Sequence, residues 1–458
     1  MGMELKFTLS NIGNIDKALL TIKPLTIVAG ENSSGKSFIT KTLYTILNAL
    51  YKKHFLNALN AIHKKIRIEK LIFDDTLNAP AKIDEEFNDK FEQFLNESFD
   101  LIEKISISSF NEEERILEKY RDKLSAFIDK TKVDFQERLK RQQFQKQQEA
   151  INDIIDTLDK FIYTLNNRRE IIVESIDNEL KIGLKKNFQT THLKDLIQHS
   201  KESAKLKLYD IGDVEIDKND TLNFTFDATG IENIQSVKNI IFFDSPVYIK
   251  IRQAIEKQDF QLFHFKKLQD KYLKGYPQYI EELYGFIDKK YIDIADFDDI
   301  SKDIQQKISG KLEVSKSGDI NYTDKNNHTI PLSLTAMGIS NIGLIDLLLR
   351  NNIINRGSFL IMDEPEVHLH PQWQVFLAQI LYKIAKNGAN IIIATHSLDF
   401  LKAFENILKD ENENANEIIA INKMPYSEEF SHLSELEKVG YLLDDLSKPF
   451  YDLYMQDI

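Results

Sequence analysis

The chain has 458 residues, a net charge of −13 and no cysteine. That length supports two or three domains with cores of their own. The acidic balance argues against a general nucleic-acid coat, and the missing thiols exclude disulfides, thiolate zinc sites and cysteine nucleophiles. Met1–Lys6 lacks the apolar core of a signal peptide, and no run approaches the roughly 18 apolar residues of a membrane span, so a soluble cytoplasmic protein is expected.

Residues 3–29 read as two or three strands. Leu5, Phe7 and Leu9 alternate with polar partners, Asn11–Asn14 is a turn, and Ala18–Ile22 resumes the pattern. The apolar run Leu25–Ala29 then enters Gly30-Glu31-Asn32-Ser33-Ser34-Gly35-Lys36-Ser37, followed by a helix-like stretch through Leu50. This is G-x-x-x-x-G-K-[ST] in a strand–loop–helix context, a phosphate-binding loop. Gly30 and Gly35 let the backbone bend so that successive N–H groups converge on phosphate oxygens. Lys36 would bridge the β- and γ-phosphates, and the Ser37 hydroxyl would ligate Mg²⁺.

Between Gly35 and Gly183 there is no glycine, and the only proline is Pro80. Such a gap in punctuation predicts long helices. Leu117, Tyr120, Leu124, Phe127/Ile128, Thr131 and Phe135 follow the helical period, as do Ile151, Ile154/Ile155, Leu158, Phe161/Ile162 and Leu165. Residues 55–200 are therefore expected to be a helical, coiled-coil-like insertion, an antiparallel arm with its tip near 140–148 or at Asn166-Asn167. The basic tip is either a nucleic-acid contact or a solvated charged face.

From Lys205 alternation returns in Leu206–Tyr209, Val214–Ile216 and Leu222–Phe226, with turns at Lys218–Asp220 and Ala228–Gly230. Asn239–Phe243 reads as a buried strand ending at Asp244. Residues 247–309 read as mostly helical, and their aromatics, among them Phe260, Phe263, Phe265 and Tyr272, as core. A small strand pair follows near Gly310–Val314 and Asp319–Tyr322.

Phe359–Met362 is an apolar run that ends in Asp363-Glu364-Pro365. A buried parallel strand reads this way, with its carboxylates emerging beside the phosphate loop. Asp363 would hold Mg²⁺ through water and Glu364 would polarise the attacking water. Ile391–Ala394 ends likewise in Thr395-His396-Ser397, so His396 is expected to meet the γ-phosphate or the water. His368 and His370 stand two apart, outside a helix and without a third ligand, a poor metal pair.

GENSSGKS at 30–37, FLIMDEPEVHLHP at 359–371 and IIIATHS at 391–397, in that order around a helical insertion, resemble the SMC-like branch of ATP-binding-cassette ATPases. The match is nearest in type to the OLD-related bacterial defence ATPases, such as Septu PtuA, then the PARIS ATPase. The resemblance implies an α/β P-loop head of mixed sheet and flanking helices, in three segments: 1–54, the insertion 55–200, and 201–458. It implies ATP and Mg²⁺ as cofactors, Lys36 and Ser37 on phosphate and metal, Asp363 supporting the metal, Glu364 as base and His396 as switch histidine. Leu369-His370-Pro371 matches the segment facing a partner head, and Leu334–Ile339 the signature loop that one protomer donates to another, with Thr335 and Gly338 toward nucleotide. Met337 stands where a small hydroxyl residue is usual, which implies slow turnover. No glutamine-bearing loop is evident; Asp244 occupies its region.

The implied partners are further copies of the chain, as a head-to-head dimer or multiples, and a separate effector nuclease of HNH type, with nucleic acid a possible partner and no membrane. About 60 residues follow Ser397, short of the nuclease domain of roughly 100 residues or more that OLD enzymes append. The leading expectation is a nucleotide-gated anti-phage sensor that controls that nuclease. The alternatives are a RecF- or SMC-like repair ATPase clamping DNA through its arm, and a scaffold that binds nucleotide with little hydrolysis.

Overall fold

Alternating and continuous apolar runs build two kinds of sheet here. The computed structural model describes residues 4–75, 85–140, 148–252, 255, 275–289, 296–411 and 413–456. Most of the expected arm tip, and Phe260, Phe263, Phe265 and Tyr272, lie outside them. Strands β1 (Leu5–Ile12) and β2 (Ile15–Ile22) bury alternate residues, whereas β3 (Leu25–Gly30) is buried throughout. After α1 (Lys36–Tyr51) come α2 (His54–Asp75), α3 (Glu85–Ile107), α4 (Phe110–Leu139), α5 (Gln148–Asn166) and α6 (Arg168–Phe188). Strands β4 (Ser203–Leu208), β5 (Gly212–Asp217) and β6 (Leu222–Phe226) lead to α7 (Ala228–Gln235), β7 (Ile240–Phe243) and α8 (Pro246–Lys250). Then follow α9 (Gln278–Asp288), α10 (Asp298–Ile308), β8 (Gly310–Val314), β9 (Ile320–Asp324), β10 (Thr329–Pro331) and α11 (Met337–Arg350). The chain continues through β11 (Phe359–Asp363), α12 (Pro371–Lys386), β12 (Asn390–Thr395), α13 (Leu398–Glu411), α14 (Glu413–Ile418), β13 (Ile419–Met424), α15 (Glu428–Ser431) and α16 (Glu435–Gln456). Ala228–Gly230, expected to be a turn, instead opens α7, where the Asp227 carboxylate accepts the Gly230 N–H at 3.3 Å as an N-cap would.

The first compact unit comprises Met1–Ala49, Leu180–Gly230 and Val237–Ile458. Its central sheet runs β13-β3-β12-β11-β7, all parallel. β3, β7, β11 and β12 are buried at every position, as strands covered on both faces must be. The register sets Thr395 beside Ala29, Asp363 beside Ala394 and Met362 beside Phe243. Whatever follows these strands therefore emerges on the same side, at their carboxyl ends. A second, antiparallel sheet runs β2-β1-β4-β5-β6. Asn422 of β13 ties it to the first: its amide accepts from Thr21 N at 2.9 Å and donates to Thr21 O at 3.0 Å, imitating a peptide group. Residues 180–200, read above with the insertion, lie in this unit, where Asn187 donates to Thr45 Oγ1 at 2.9 Å.

The second unit, Leu50–Glu179 with Ile231–Ser236, is helical. Helices α2, α3, α4 and α5 each pack on two of the others in a closed circuit. The expected seams face inward: Leu117, Leu124, Ile128, Phe135, Ile151, Ile154, Leu158, Phe161 and Leu165 are buried. Phe94 stacks on Phe127 at 4.7 Å and meets Phe161 edge-on at 5.7 Å. Arg168, at the start of α6, lies 2.7 Å from the buried Glu113 carboxylate and over the Phe110 ring. Removing one partner of such a pair costs about 3–5 kcal/mol.

Candidate functional site

The loop between β3 and α1 owes its shape to two glycines with different constraints. A Cβ on Gly30 would lie 2.0 Å from the Met424 carbonyl of β13, so the neighbouring strand forbids any side chain there. Gly35 takes φ +95°, and its Cβ would press on Ile15 at 2.6 Å. Ser33 is also left-handed at φ +62°, and Asn14 donates to its carbonyl. Sequence reading treated Asn14 as turn only; its offset from the loop gives no signal of this brace. Glu31, Asn32 and Ser33 are exposed, while Ser34 is half-buried with an Oγ that has no partner among the described residues.

Lys36 is only 4% exposed, and its ammonium donates to the carbonyls of Gly30 at 3.0 Å and Glu31 at 2.8 Å. Burial pushes its pKa down, and the nearby carboxylates of Glu364, Asp363 and Glu366 pull it back up. The amine is thus a cation held on weak acceptors. A phosphate would bind it better than two carbonyls do.

Ser37 Oγ donates to Asp363 Oδ1 at 3.1 Å across 326 residues of chain. Asp363 closes β11 and is 9% exposed. Burial raises its pKa to about 6; Asp244 and Glu364 push the same way, against the Ser37 bond and Lys41. Asp244 follows β7, next to β11 in the sheet, and accepts from Tyr279 Oη at 2.7 Å. Burial and Asp244 together raise the Tyr279 pKa.

Glu364 takes a left-handed φ of +48°, which turns the chain sharply as it leaves the sheet. Its N–H still donates to Ala394 O at 2.9 Å, and its carboxylate meets His396 Nδ1 at 3.0 Å. Both side chains remain partly open to solvent. Two residues that the motif reading passed over border this turn. Glu366 is 3% exposed and accepts from Thr395 Oγ1; burial raises its pKa. Asn341 of α11, also buried, donates to Pro365 O at 2.6 Å. Their periodicity is that of core residues, so only a polar type inside an apolar helix or turn could have flagged them.

The structure brings 36–37, 363–364 and 396 together at the carboxyl ends of β3, β11 and β12. Thr335 and Gly338 have other neighbours. The Thr335 hydroxyl is buried, 2.7 Å from Leu332 O and 3.1 Å from Ser340 Oγ. Lys250 donates to its carbonyl. Gly338, in the first turn of α11, faces Leu369, whose Cδ2 would lie 3.1 Å from a Cβ. His370 caps α12, its Nδ1 accepting from Gln372 N at 3.3 Å, and Ser397 caps α13 and donates to Gln374 at 2.7 Å.

This donor set suits a magnesium nucleotide: a buried amine and the N-terminal N–H groups of α1 for phosphate, and a hydroxyl beside a carboxylate for a hard cation. Glu364 and His396 meet directly at 3.0 Å beside this donor set.

The profile of a family described as "AAA ATPase domain" matches residues 3–401. The chain is similar to the DNA double-strand break repair Rad50 ATPase of Saccharolobus solfataricus, 27% identical over 123 residues, which are 26% of this chain and 14% of that protein. The chain thus spans about a seventh of the length of that relative. Among solved structures it is similar to the SMC head domain from Thermotoga maritima, at 10% identity and a TM-score of 0.34, covering 88% of this chain and 92% of the other. The Smc head with coiled coil and joint from Pyrococcus yayanosii gives 12% identity and a TM-score of 0.34, covering 98% and 100%.

Proposed function

The chain belongs to the AAA ATPase domain family, and from that premise we propose that it is an ABC-class ATPase working as a nucleotide-gated switch in anti-phage defence. The observation that carries the ATPase part of this reading is the Ser37–Asp363 contact at 3.1 Å, with Glu364 on His396 at 3.0 Å beside it. The backbone of 30–37 and Lys36 bind the phosphates. Ser37 and Asp363 hold Mg²⁺, which supplies charge neutralisation for phosphoryl transfer when bound. Glu364 accepts a proton from the attacking water, and His396 orients the Glu364 carboxylate and the γ-phosphate oxygens. The Leu334–Ile339 loop, whose Leu334 is exposed while Thr335 and Gly338 meet their own chain's Leu332 and Leu369, serves a second head, and Leu369-His370-Pro371 faces that head.

The finer reading is that a homo-oligomer of heads holds a separate HNH-type nuclease in the cytoplasm and releases it when nucleotide or phage signals change. It takes its support from the three motifs and their order. Met1–Ala49, Leu180–Gly230 and Val237–Ile458 form the ATPase head, and the helical unit inserted after Ala49 reports on it. A second reading, a repair ATPase clamping DNA, takes its support from the Rad50 likeness. The test is magnesium-dependent ATP hydrolysis by the purified chain, lost in Lys36→Ala together with nucleotide affinity. Unchanged affinity in that variant refutes the assignment. Co-purification with a nuclease supports the defence role, and salt-sensitive DNA binding without one supports the second.

A further inference from the structure

The turn that carries Glu364 is held by contacts the nucleotide reading does not use. A non-glycine residue at φ +48° is strained and persists only where its surroundings over-determine it. Two buried groups do so here. Asn341 Nδ2 donates to Pro365 O at 2.6 Å, immediately after the strained residue. One residue further on, Glu366 turns back into the sheet and accepts from Thr395 Oγ1. Thr395 closes β12 in register with Ala29, and its Oγ1 also accepts the Ser397 N–H at 3.1 Å.

The result is two rungs between two loops. Glu366 holds Thr395, and Glu364 meets His396, the next residue along. The first rung is buried and the second half-exposed, so the first sets the geometry of the second. Glu366 also has an unused oxygen: Oε2 is buried with no partner among the described residues. A buried carboxyl with one idle oxygen is a poor choice for stability alone, since an apolar side chain of like volume avoids the desolvation. Its presence calls for an explanation in function.

We propose that Glu366 is a positioning residue: through its bond to Thr395 it locks the β12 end and the 364–366 turn in one register, aiming the Glu364 carboxylate at His396 and the attacking water. It acts on the reacting groups through Thr395. The proposal rests on the assignment of Glu364 and His396 to hydrolysis, and deepens it. What the bond needs is an acceptor at Oε1, not a charge. Glutamine at 366 keeps that acceptor, whereas leucine removes it at similar volume.

The experiment measures ATP turnover and nucleotide affinity in parallel for Glu366→Leu, Glu366→Gln and Thr395→Val in the full chain. Glu366→Leu and Thr395→Val are expected to lower kcat about tenfold or more, since small misplacements of a reacting group have large rate effects. ATP affinity should stay within about twofold, because the 30–37 loop is untouched. Glu366→Gln should restore at least half of wild-type kcat. The double variant Glu366→Leu/Thr395→Val should be no slower than the worse single, as two halves of one bond are not additive. If Glu366→Leu misfolds, Thr395→Val and Glu366→Gln still decide. Wild-type kcat in Thr395→Val, or a Glu366→Gln as slow as Thr395→Val, overturns the proposal; so does a parallel fall in affinity. Failure of the underlying assignment looks different: Glu364→Gln then turns over at the wild-type rate.

Discussion

Asp363→Asn tests the electrostatics of the site apart from turnover. The Asp363 carboxyl is buried, and its pKa stands at about 6 against 3.8 for the unperturbed group. A raised carboxylate pKa means that the folded protein binds the proton more tightly than the unfolded chain. The group therefore contributes no penalty below about pH 4, and destabilises increasingly as pH rises toward 6. Above pH 6 the cost levels off at about two pKa units, or about 3 kcal/mol. At pH 5 it is roughly half of that, because only the unfolded chain is ionised there. Asparagine keeps an oxygen for Ser37 and removes the charge. Denaturant unfolding in EDTA without nucleotide should show Asp363→Asn more stable than wild type at pH 8, with the gain roughly halved at pH 5. In magnesium and ATP the order should reverse, as only wild type gains from ligand. A variant equally or less stable at pH 8 without metal refutes the reasoning.

Three further outcomes are expected. Glu364→Gln, which keeps the side-chain shape but cannot take a proton, should bind ATP, hydrolyse it at least a hundredfold more slowly, and accumulate as a larger ATP-bound assembly; a mass measurement in ATP that finds no larger species counts against the head-to-head arrangement. Gly30→Ala forces a methyl to within 2.0 Å of the Met424 carbonyl and should abolish nucleotide binding and lower the melting temperature; a variant that titrates ATP normally would mean that β13 shifts freely. Lys52 and Glu179 form an ion pair at 3.0 Å, so the two chain ends of the helical unit lie side by side. Replacing residues 53–178 by a short Gly/Ser linker should leave a chain that binds nucleotide, since the excised helices make most of their contacts among themselves, and aggregation on expression would show that the helical unit is integral to the head.

Local pattern determined much of this protein. The apolar runs at 25–29, 359–362 and 391–394 read as doubly covered strands, and the alternation in β1, β4 and β5 as a half-buried sheet, because side-chain period reports which faces meet water. The phosphate loop was legible because its chemistry is contiguous: two glycines, a lysine and a serine act within eight residues. The helical seams at 117–135 and 151–165 were legible for the same reason. Partners hundreds of residues apart were not. That Gly30 is required by Met424 as well as by phosphate follows from strand order, and the Glu366–Thr395 bond follows from the register of β11 on β12. Sequence supplies the ends of such contacts but not their pairing, since pairing is set by which strands become neighbours. Glu366 and Asn341 read as unremarkable positions until the tertiary fold buried them beside a backbone that has to be held in a strained conformation.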